Sequence, residues 1–140
     1  MKITTIALCL CLLSLSSYAR SSDKDLMKEI STEASNKFIT CAAYFEIAQR
    51  VMAADDEAKK SNVYLNSKKE ALDYAIEMAK MAFDEKKAQR NVNEKFKIVV
   101  SDISSKANKE QRNQFAIWIK KKADYCPKLM KDPSMAIRDL

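Results

Sequence analysis

Neither glycine nor histidine occurs among the 140 residues, and there are only two prolines and one tryptophan. Glycine supplies the positive-φ backbone used by phosphate-cradling loops, dinucleotide turns, tight hairpins and calcium loops, so most of those constructions are excluded together. Histidine is the usual general base near neutral pH, the commonest metal ligand and the centre of most nucleophilic triads, so those routes close as well. What remains is carboxylate, lysine, tyrosine or thiol chemistry, or binding without chemistry. No cofactor and no metal site is expected.

The chain opens with Met1 and Lys2, then an apolar run broken only by threonine and serine from Ile3 to Leu15, then Ser16, Ser17, Tyr18 and Ala19. Positive start, hydrophobic middle and small residues at positions 17 and 19 make a secretion signal, with cleavage expected after Ala19. The stretch is shorter than the ~18–20 apolar residues that a membrane-spanning helix needs. Leu8 and Leu10, standing before Cys9 and Cys11, are poor sites for lipid attachment. The expected mature protein is therefore a periplasmic or secreted single domain over 20–140. Losing Lys2 lowers the net charge from +6 to +5. That moderate excess of cations suits solubility, and would also favour an acidic partner or an anionic surface.

Of four cysteines, Cys9 and Cys11 leave with the leader, and Cys41 and Cys126 are delivered to an oxidising compartment, where one disulfide is expected. In the chain-entropy account a bridge closing so long a loop contributes about 4–5 kcal/mol. A reactive thiol is the alternative, but no Cys-x-x-Cys pair is present and Cys41 lies among Ala42, Ala43 and Phe45.

Apolar residues at Leu26, Ile30, Ala34, Phe38, Cys41, Phe45, Ala48 and Met52 recur in steps of three and four, the signature of one long amphipathic helix starting near Ser22 and Asp23. Ser67 with Glu70 has the form of a capping box, opening a helix through Leu72, Ala75, Ile76, Ala79, Ala82 and Phe83 to about Gln89. Asn91 with Glu94 marks a third start, before Phe96, Val99, Val100 and Ile103. The β-branched run Ile98–Val100 is read as helix because a lone strand has no partner. Asn108 with Gln111 opens a fourth helix carrying Phe115, Trp118, Ile119 and Cys126, which Pro127 is expected to end. Met78 and Met81 cannot both sit on the second helix's stripe, so one is expected to be exposed. The economical architecture is an all-α, small antiparallel bundle of about four helices, stapled by the disulfide.

Candidate chemistry is thin. Tyr44, Phe45 and Glu46 are the densest mixture of aromatic and ionisable side chains, and a desolvated Glu46 would have a raised pKa suited to a general acid. The favoured alternative is that Tyr44 and Glu46 flank a core stripe and meet solvent. Asp55, Asp56 and Glu57 lack the alternate spacing and glycine of a calcium loop. Trp118 followed by Lys120, Lys121 and Lys122 could rest on an anionic membrane surface, although cations also suit a helix C-terminus. No nucleic-acid partner is expected.

The leading expectation is a non-enzymatic exported protein that binds another envelope or secreted protein, as an inhibitor, immunity factor, chaperone-like or envelope component. A carrier of a small apolar ligand, with Tyr44, Phe45, Phe83 and Trp118 lining its cavity, is the second. A hydrolase working through Glu46 and another acid is the third.

Overall fold

A computed structural model describes the backbone of residues 4–54, 58–107 and 111–140, and the side chains of residues 22–54, 60–107 and 111–140. Among them the protein is all-helical, without strands. Four long helices, α1 (Thr4–Ala54), α2 (Ala58–Lys80), α3 (Glu85–Ser105) and α4 (Arg112–Lys131), are followed by a single turn, α5 (Met135–Arg138). The expected leader, residues 1–19, and the acids Asp55, Asp56 and Glu57 lie outside the residues whose side chains are described. No described helix is long and apolar enough to cross a membrane.

α1 is the hub. Phe38, Ile39, Cys41, Ala42, Ala43, Tyr44, Phe45 and Ile47 are all buried, so this stretch is covered around its circumference rather than along one stripe. The reason lies in neighbours that periodicity alone cannot count: α2, α3, α4 and α5 all pack against α1. Farther toward the N-terminus the covering ends, and Leu26, on the expected stripe, is exposed.

Chain direction is fixed by individual pairs. Ser35 Oγ donates to the Ala75 carbonyl at 2.9 Å, while Glu46, about three turns further along α1, meets Lys68 Nζ at 2.7 Å. α2 therefore runs antiparallel to α1. The Cys41–Cys126 disulfide, with its Cα atoms 5.4 Å apart, and the Tyr44 and Trp118 rings, 6.4 Å apart, show that α4 also runs against α1. The expected cysteine pairing is the one formed.

Helix boundaries depart from the sequence expectations in five places. α1 passes through Ser22 without a break. Ser67 and Glu70 lie inside α2 rather than at its start, because their spacing is equally natural in the middle of a polar helix face. α2 stops at Lys80 rather than Gln89. Its end tightens through bonds from Met81 N to Met78 O at 3.2 Å and from Ala82 N to Ala79 O at 3.0 Å, the 3₁₀-like closure that satisfies terminal carbonyls without glycine. Asp84, in extended conformation, then caps α3 by accepting a bond from Lys87 N at 3.0 Å, with Glu85 in the first turn against the helix dipole. Asn91 and Glu94 are consequently interior to α3. The Ile98–Val100 run is helical, as expected, with Ile98 outward and Val100 buried.

The last departure is Pro127, which lies inside α4. Proline removes the bond to the carbonyl four residues back, here Ala123. Both residues are exposed, so the freed carbonyl is on the wet side and the helix continues to Lys131. Of the paired methionines, Met78 is half-buried and Met81 exposed.

Candidate functional site

Of the residues singled out in the sequence, Tyr44, Phe45 and Trp118 are brought together, whereas Glu46 and Phe83 lie apart from them. The Tyr44 ring lies 5.2 Å from Phe45 and 6.4 Å from Trp118, and Tyr64 approaches both Tyr44 and Phe45, at 6.4 and 6.3 Å. Glu46 faces α2 and the solvent edge, where Lys68 Nζ donates to one carboxylate oxygen at 2.7 Å and Arg50 Nε to the other at 2.9 Å. Partial burial pushes the Glu46 carboxyl up, but the bonds from Lys68 and Arg50 outweigh it and hold the group below the usual carboxylate range. It is the opposite of the raised pKa that a general-acid role for Glu46 would need. An anion clamped by two cations is poorly disposed to donate a proton.

Phe83 is removed from the expected aromatic group altogether. The break after Lys80 carries it to the α2–α3 turn, where Lys28 and Lys87 approach its ring at 5.4 and 5.1 Å. Trp118 is half-buried and packs with Phe96, Val99, Phe115 and Ile119 around the smaller core of Ala43, Ile47, Val100 and Ile103. The three lysines that follow it diverge, as successive residues on a helix must. Lys120 borders one cleft, Lys121 is exposed, and Lys122 borders another, its Nζ lying 5.5 Å from the Tyr125 ring.

The cleft beside Lys120 is lined mainly by apolar side chains. It has a volume of about 620 Å³, within the ~300–1,000 Å³ usual for ligand pockets. α1 supplies Tyr44, Ile47, Ala48, Val51 and Met52, and α4 supplies Phe115, Ala116 and Ile119. Tyr64 of α2 closes one side, and Ala107, Arg112 and Lys120 complete the rim. The cleft exists because α4 meets α1 through Cys126 below and through Phe115, Trp118 and Ile119 at the side, leaving the C-terminal turns of α1 incompletely covered. Val51 is accordingly exposed. Burial, reinforced by the neighbouring Tyr64 phenol, pushes the Tyr44 hydroxyl up to about 12, so it remains neutral across the accessible pH range.

No protein-family model, curated protein or solved structure matches this chain.

On the opposite flank of α4 a polar cleft of about 620 Å³ is bordered by Glu33, Lys37, Thr40, Lys122, Tyr125 and Asp139. Lys37 Nζ is buried there without a hydrogen-bond partner. Burial, and then Lys121, hold the Lys122 ammonium below the usual lysine range. Burial, and then Asp139, raise the Tyr125 phenol. A third concavity, about 390 Å³, lies against Trp118, Thr40, Val99 and Ile103. Among the described residues no group of three metal-ligating side chains converges.

Of the cleft-lining residues, Tyr44 alone belonged to the pocket expected from the sequence. Met52, Phe115 and Ile119 carried a detectable signal, since each falls on a helical apolar stripe. Val51 and Tyr64 carried none, because their place depends on the separation between helices rather than on spacing within one.

Proposed function

We propose that this is a non-enzymatic, exported helical protein that binds a small apolar ligand in the cleft between α1 and α4. The observation that carries the reading is the cleft's wall: Ile47, Val51, Met52, Phe115 and Ile119 around a space of about 620 Å³. A concavity that size, lined by aliphatic and aromatic side chains, gains roughly 25 cal/mol for each Å² of apolar surface removed from water, and an apolar guest removes its own surface as well. The Cys41–Cys126 disulfide supports export to an oxidising compartment, since such bonds are rarely kept elsewhere. It also holds α4 in register with α1, so the cleft is shaped before the ligand arrives and little ordering cost falls on binding.

The expected protein partner rests on the exclusion of other chemistries, whereas the cleft is a positive feature with a defined chemical preference. The hydrolase reading has no comparable support, because Glu46 is committed to Lys68 and Arg50.

Native mass spectrometry of protein purified without detergent tests the proposal. The expected result is a co-purifying apolar mass, or uptake of one equivalent of an uncharged alkyl probe with a rise in unfolding temperature. Neither a bound mass nor any uptake would remove it.

A further inference from the structure

The cleft's charged rim narrows the ligand class. Among the described wall residues two are charged, Arg112 and Lys120, and both are cations. Among the described residues no carboxylate borders the cleft. Elsewhere some cations are paired: Lys106 with Asp102, Lys128 with Asp124, Arg138 with Asp132, and both Arg50 and Lys68 with Glu46. Arg112 and Lys120 form no ion pair or hydrogen bond among the described residues. Two unanswered cations on an apolar trough are complementary to a molecule that is apolar along its length and anionic at an end.

Their placement orders that molecule. Arg112 and Lys120 are eight residues apart on α4, about 12 Å along the axis at ~1.5 Å per residue. The α1 wall from Tyr44 to Met52 has the same length. Because α4 runs against α1, Lys120 flanks the Tyr44 end and Arg112 the Met52 end. The trough is thus elongated, as an extended chain requires. The two cations differ in kind. A guanidinium presents a planar fork that matches a carboxylate with two parallel bonds, whereas a lysine lays its methylene stem along apolar surface and keeps its ammonium in water.

We propose that the cleft takes a straight-chain fatty acid, its carboxylate on Arg112 and its alkyl chain running along Met52, Val51, Phe115 and Ile119 toward Tyr44, with Lys120 serving as wall. This inference rests on the apolar-ligand reading above and adds the headgroup, its sign and its place.

Calorimetric titration of the disulfide-bonded protein with dodecanoate, dodecanol and dodecyltrimethylammonium separates the two. Dodecanoate is expected to bind about tenfold or more tightly than dodecanol, the gain of one charge-assisted bidentate contact, and the cationic amphiphile more weakly than either. Arg112→Gln is expected to erase the carboxylate's advantage while leaving dodecanol binding unchanged, which also shows that the variant is folded. Lys120→Gln is expected to preserve the advantage. If all three probes bind wild-type protein alike, the headgroup inference is overturned and the apolar reading stands. If none binds, the apolar reading itself falls. Loss of the advantage in Lys120→Gln rather than Arg112→Gln would overturn the assignment to Arg112.

Discussion

Cys41, at the centre of the most deeply buried stretch of α1, is bonded to Cys126, about one turn before the end of α4, across 85 residues of chain. Both cysteines are fully buried, and the bond joins the hub of the fold to the helix that forms the opposite wall of the apolar cleft. The disulfide thereby fixes both stability and the shape of the site.

Replacing both cysteines by alanine is expected to lower the unfolding free energy by about 4–5 kcal/mol and to weaken ligand binding as α4 loses its register. Chemical denaturation of the oxidised protein and the double variant measures this. Equal midpoints would mean that the bridge constrains nothing.

Glu46 gives a pH dependence of definite sign. Its native pKa lies below its ordinary value, so its contribution is complete above the ordinary carboxylate range and is lost as pH falls through the lowered native value. Glu46→Gln is expected to cost about 1–3 kcal/mol at neutral pH, the value of charge-assisted bonds at a half-buried position. The gap between variant and wild type should close on acidification below roughly pH 4. Unfolding curves across pH decide the matter, a pH-independent gap being the contrary result.

Lys37 carries the opposite expectation. Its Nζ is buried without a partner, and an unanswered buried donor is a net cost. Lys37→Met keeps an unbranched stem one atom shorter and removes the charge, and should leave stability unchanged or raise it by up to about 2 kcal/mol. A clear loss in thermal unfolding would show that the ammonium is bound.

Asp84 tests the boundary that has no counterpart in the sequence expectations. Asp84→Ala is expected to remove about 1 kcal/mol and to increase hydrogen exchange in the first turn of α3, whose Lys87 N–H loses its acceptor. Unchanged exchange at Lys87 would count against the cap.

What the sequence made legible, and what it did not, divides along physical lines. The helical class, the apolar stripe through Ala34, Phe38, Cys41 and Phe45, and the cysteine pair were readable because each depends on spacing or on the small number of available partners. The ends of helices were not. With no glycine at all and no proline before Pro127, the usual punctuation is missing, and the α2–α3 break falls in Met81, Ala82 and Phe83, residues that read as helix. Ser67 and Glu70 misled for the complementary reason, since a two-residue signature recurs by chance in a chain this rich in serine and acid. The cleft was invisible because it is the gap left where α4 covers α1 incompletely, and no single helix records the width of a gap.

Filling that gap is the most direct test. Ala116 lies exposed at the mouth of the cleft, so Ala116→Phe can occlude it without disturbing the core. An uncharged alkyl probe titrated into wild-type and variant protein is expected to saturate the first at one equivalent and to bind the second at least about tenfold more weakly, with the two unfolding temperatures in ligand-free buffer nearly equal. Equal binding to both proteins would place the ligand elsewhere and contradict the assignment of the cleft.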